Sequence, residues 1–207
     1  MSFADESWTK VPLAGVTMNP VRGPNKAHYG FVDLCVLLRR PDGSTETVVD
    51  CRTRARDNPN QLGEFTADET ERFRINGFAY AQNAHRVAPI ISTISAYTRN
   101  TLPVSVNPSL CRKLLCNAAR LTGAPVDNAG VFLLRERSRW IDLGLWRLNA
   151  KERQLPGAEP FSGLLLPPKE RVEWMFARLP VLASSLGVDT KWSVKELLDW
   201  QDTLVPF

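Results

Sequence analysis

No apolar run in this sequence reaches the roughly 18 residues that a bilayer-spanning helix needs, so no membrane partner is expected. The opening MSFADESWTK carries acids early and lacks a basic stretch followed by an apolar one, so it does not read as a secretory signal. Histidine occurs twice, as His28 and His85, and cysteine four times, as Cys35, Cys51, Cys111 and Cys116, with no C-x-x-C pair. Those ligands are too few and too scattered for zinc; no metal site and no cofactor is expected, and the thiols read as buried and free. The glycine-rich dinucleotide and phosphate-loop patterns, the G-x-S-x-G elbow and H-E-x-x-H are all missing. His85 has neither an orienting carboxylate nor a nucleophile beside it in the chain, so no catalytic residue is assigned and the expectation is a non-enzyme.

What the chain does have is an ordinary globular composition and an uneven distribution of charge. Its 207 residues are 43% hydrophobic and 23% charged, enough for one sizeable core. Net charge is +4, yet residues 1–98 carry eleven basic and eleven acidic side chains, residues 99–153 ten against four, and residues 154–207 five against seven. The positive excess is concentrated in the second of these segments, 99–153. Arginine outnumbers lysine 19 to 7, and the guanidinium is the better bidentate ligand for phosphate.

The longest helical pattern runs from Phe65 to Asn100. Thr66 and Glu69 form a capping box, Phe73, Gly77, Ala81, Ala84, Ala88 and Ile91 follow on one face, and Pro89 predicts a kink near Val87–Ala88. Ahead of it, Phe31–Leu38 and Thr45–Cys51 flank an Arg-Pro-Asp-Gly-Ser turn, which predicts an antiparallel hairpin with Val32, Leu34, Val36 and Leu38 on its buried face. Residues 1–28, broken by Pro12, Pro20, Pro24, Gly15 and Gly23, read as an extended arm that carries Phe3, Trp8 and Val11. The expected fold is therefore α+β and mostly α-helical. One antiparallel hairpin at about 30–52 packs on a helical body with a long kinked central helix at about 67–99. Residues 29–207 form a single globular domain behind the arm. Thr101–Pro108 reads as a proline-punctuated connection, and 127–148 as helix in preference to strand. Further helices are expected at 110–121, from Pro168, and behind a Ser193–Glu196 capping box.

Arginines beside tryptophans suit single-stranded nucleic acid, whose phosphates need cations and whose bases stack on planar side chains. The candidate nucleic-acid-binding residues are Arg72, Arg74, Arg86, Arg112, Arg120, Arg135, Arg137, Arg139, Trp140 and Arg147. The competing reading is an arginine-rich solvated helix face with core tryptophans. On this pattern the expected function is structural: a coat or nucleocapsid type of viral protein that binds single-stranded RNA, in preference to DNA, through its backbone. It would form a homo-oligomer through the N-terminal arm and reside in cytoplasm or virion. The alternative is a cytosolic adaptor or regulatory protein whose basic patch meets an acidic protein partner.

Overall fold

The computed structural model describes residues 3–22, 29–53, 67–76, 84–98, 100–122, 140–159 and 166–205. Five strands form one mixed sheet: β1 (Leu13–Arg22), β2 (Tyr29–Arg39), β3 (Thr45–Arg52), β4 (Leu102–Ser105) and β5 (Ile141–Asp142), in spatial order β3-β2-β1-β4-β5. The first three are antiparallel neighbours, while β4 runs parallel to β1, with Leu13 opposite Leu102 and Gly15 opposite Val104, and β5 runs parallel to β4. Six α-helices accompany them among the described residues: α1 (Ala67–Arg72), α2 (Val87–Tyr97), α3 (Pro108–Thr122), α4 (Leu143–Glu152), α5 (Pro168–Ser185) and α6 (Val194–Gln201).

The expectation of a mostly helical protein with one hairpin is thus corrected: the organising element is a five-stranded sheet covered by helices on both faces. The hairpin forms, with Arg40 N–H donating to Ser44 O and Gly43 at φ +86°, but as β2 and β3 at one side of that sheet. Residues 13–22 of the expected arm are its middle strand. Pro20, which argued against a strand, sits where the β1–β2 register shifts after Asn19, one of the few places a sheet interior tolerates a missing N–H. Pro103 hides β4 in the same way. Leu102 N–H turns toward Pro12 O, so the Pro103 nitrogen faces the β5 side, where pairing starts only at Val104–Ile141.

The long kinked helix at 67–99 is also corrected. α1 ends at Arg72, Arg74 adopts φ +50°, and Ala84–Arg86 run extended, with His85 bridging Thr53 beside β3. Only then does α2 begin, with Pro89 in its first turn, where the absent N–H would have lacked a helical partner anyway. Of the segment 127–148, Ile141–Asp142 is strand and Leu143 opens α4, so the helical preference holds only from Leu143 onward; residues 127–139 lie outside the described residues.

Both faces of the sheet are buried, which is why β2 reads as an almost unbroken apolar run. On one face α5 and α6 pack through Val172, Phe176, Leu179, Leu197 and Leu198 against Leu13, Leu37, Leu102 and Val104. On the other, Val87, Ile90, Ile91 and Ile94 of α2 and Leu114 and Leu115 of α3 cover Val16, Met18, Leu34 and Val36. Trp8 and Val11 are buried in the first of these clusters. No helix among the described residues is long and apolar enough to cross a membrane.

Candidate functional site

In an open sheet with parallel strands, the helices or loops leaving two neighbouring strands in opposite directions leave a crevice beyond their carboxyl ends. Here the strand order reverses between β1, which leads outward to β2, and β4, which leads through α3 to β5. Polar side chains collect at that edge. Ser105 closes β4, and its hydroxyl lies 3.2 Å from Cys111 Sγ. Asn107 caps α3 by accepting from Leu110 N–H at 3.1 Å. Asp142 ends β5 and caps α4, accepting from Leu145 N–H at 2.9 Å. Gln201 braces this corner, accepting from Asp142 N–H and Trp146 Nε1 and donating to Trp140 O.

Along β1 to β3 runs a chain of charge-assisted hydrogen bonds. Arg171, in the first turn of α5, donates from Nη2 to Asn19 Oδ1 at 2.6 Å; Asn19 Nδ2 donates to Asp33 Oδ2 at 2.8 Å; and Asp33 Oδ1 accepts from Arg52 Nε at 3.0 Å. Arg52 also donates to the carbonyls of Phe73 and Arg74. Arg52 therefore pairs with the carboxylate directly, while Arg171 reaches it through the Asn19 amide. Arg171 is only 3% exposed and its Nε has no acceptor. Burial depresses its pKa, and the charge of Asp33 opposes that shift.

The thiols here are not nucleophiles. Burial pushes Cys111 up to about 11 and Cys35 up to about 12, so both stay protonated at neutral pH. Among the described residues no group of three or more His, Cys, Asp and Glu could hold a metal ion. The cationic character of the edge comes from arginine.

Of the candidates read from the sequence, Arg74 and Arg86 are exposed and lie beside Arg52 at the carboxyl end of β3: Arg74 O accepts from Arg52, and His85, the neighbour of Arg86, bonds through its N–H to Arg52 O. Arg72 is exposed but paired with Asp68 at 3.0 Å, and lies 5.7 Å over the Phe73 ring. Arg112 and Arg147 are half-buried in the second turns of α3 and α4, the helices that leave β4 and β5. Arg120 belongs to α3, though its side chain lies outside the described residues, as do Arg135, Arg137 and Arg139 entirely. Trp140 is corrected: it is 0% exposed in the core against α2 and α3, and no base can stack on it in this conformation.

Arg171, Asn19 and Asp33 were missed because they belong to segments read as a helix start, an arm and a hairpin strand. One signal was available: a basic residue in the first turn of a helix opposes the macrodipole, and such a local violation marks sites. No protein-family model matches the sequence, and no curated protein matches it either.

Proposed function

We propose that the chain binds single-stranded nucleic acid through its phosphates along the carboxyl edge of the sheet, with little sequence preference. The observation that carries this is the placing of Arg74 and Arg86 beside Arg52 at the end of β3, where Arg74 and Arg86 are exposed and Arg52 is the one paired directly with a carboxylate, Asp33, among the described residues. Arg112 and Arg147 leave from the same edge, and Arg135, Arg137 and Arg139 keep their place as further candidate contacts. A coat-type assembly through the N-terminal arm has lost its premise, because Trp8 and Val11 are packed in the chain's own core.

Binding of a dodecauridylate with hydroxyl ends, followed by fluorescence anisotropy across salt, tests this. The logarithm of affinity should fall with that of salt by about 0.7 per neutralised phosphate, and Arg74→Ala with Arg86→Ala should flatten the slope by about 1.4. No binding at low salt, or an unchanged slope, overturns the reading. Equal binding of polyglutamate would point instead to an acidic protein partner.

A further inference from the structure

Resting on that reading of the edge, we propose that the buried guanidinium of Arg171 seats a terminal phosphate monoester, without a metal ion, at the carboxyl end of β1 beneath the first turn of α5. Nη2 of Arg171 is held by Asn19, and Asn19 in turn by Asp33, so the side chain is fixed in place while its nearest carboxylate is already bonded to Arg52. The buried Nε has no acceptor. A buried cation compensated only through an intervening amide is an unfavourable arrangement unless an anion completes it.

The helix reinforces the same polarity. α5 is 18 residues long, its N-cap is Pro167, and no side chain caps its first turn. Long side chains on a helix lean back toward the N-terminus, so the guanidinium of Arg171 is directed toward the positive end of the helix rather than away from it. An oxyanion there meets a planar donor and the helix dipole together.

The other charged groups argue against a metal. Asp33 is committed to Arg52 and Asn19, and Asp142 caps α4. Asp50 and Glu173 face Cys35, as does Lys169, while the Cys111 thiol is protonated. Access argues for a chain end. The network reaches solvent at the half-buried Asn19 and where the Asp33 and Arg52 side chains are 14% and 30% exposed, whereas Arg171 is 3% exposed. A continuous phosphodiester cannot run past such a group, but a monoester with three unesterified oxygens can approach it end-on.

The test compares octathymidylates carrying a 5′ phosphate, a 3′ phosphate or hydroxyls at both ends, in EDTA, with inorganic phosphate as competitor. One phosphorylated form should bind at least tenfold more tightly, magnesium should add nothing, and millimolar inorganic phosphate should erase the difference. Arg171→Gln should abolish the discrimination. Asp33→Asn, which leaves Arg171 less compensated, should enlarge it severalfold, and this variant decides the matter if Arg171→Gln does not fold. Equal binding of all three oligonucleotides, a preference that appears only with magnesium, or weaker discrimination in Asp33→Asn overturns the inference. Equal, salt-dependent binding would do so while leaving the edge reading intact. Binding of inorganic phosphate without any oligonucleotide would keep the Arg171 site and remove the nucleic-acid reading.

Discussion

Cys111 sits where α3 leaves β4: its thiol lies against Ser105 at the end of β4, and its helix packs over the opposite face of the sheet from α5. Burial raises its pKa to about 11. In the unfolded chain the thiol titrates near its ordinary value of 9.0, so between those values the native state holds a proton that the unfolded state has released. The stability from Cys111 is therefore fully present below pH 9 and is lost as pH rises toward 11, with a limiting slope of about 1.4 kcal/mol per pH unit. Urea melts from pH 7 to 10.5 should show the wild type falling more steeply above pH 9 than Cys111→Ala, whatever the offset between them at pH 7. Parallel curves would mean that the thiol ionises as easily folded as unfolded. Trp140 carries the opposite lesson at this scale. The arginine-and-tryptophan pattern that suggested base stacking is also what a core tryptophan beside a basic segment looks like, and burial alone separates the two.

At the scale of elements, α5 approaches β1 closely at Gly15. A Cβ placed on Gly15 would run into Val172 and press on the Phe176 ring at 2.9 Å. The strand can pass beneath the helix only because this position has no side chain. Gly15→Ala should destabilise by about 1–3 kcal/mol, the usual cost of overpacking. Val172→Ala should cost something alone yet relieve part of that penalty in the double variant, and the coupling is read from a double-mutant cycle. Strict additivity would mean that helix and strand do not meet there. What sequence periodicity conveyed at this level was local. The Arg-Pro-Asp-Gly-Ser turn and the Ser193–Glu196 capping box close within four or five residues, and both form as expected. β1 and β4 were obscured by Pro20 and Pro103, each tolerated through a neighbour that no local pattern names: a register shift against β2 and the short reach of β5. The proposed binding edge was half legible for the same reason. Arg74 and Arg86 announce themselves as charged residues on a surface, whereas Arg171 acquires its meaning only from Asn19, 152 residues away.

At the scale of the whole molecule, the middle strand is the first strand in the chain, and its two partners reach it from different directions. β2 follows it directly, but β4 arrives from about 90 residues downstream, so the sheet closes only when distant segments meet. Deleting residues 1–20 would remove nearly all of β1, leaving β2 with an open edge and β4 and β5 as a pair of four and two residues. Such a remnant cannot cover two faces, and its exposed edges invite association. The truncated chain should lose its sigmoidal urea transition and its slow amide exchange in β2, and should aggregate. Deleting only residues 1–6 is the informative contrast. It removes the Glu6 carbonyl that accepts from Val194 N–H at 2.8 Å, but leaves Trp8, whose N–H donates to Trp192 O and whose ring is buried. That shorter truncation should keep a cooperative transition at lower stability, with faster exchange confined to the start of α6. If the 1–20 deletion instead unfolded cooperatively with native-like exchange protection in β2, the sheet would not depend on β1 as its centre, and the strand-order reversal on which the proposed binding edge rests would go with it.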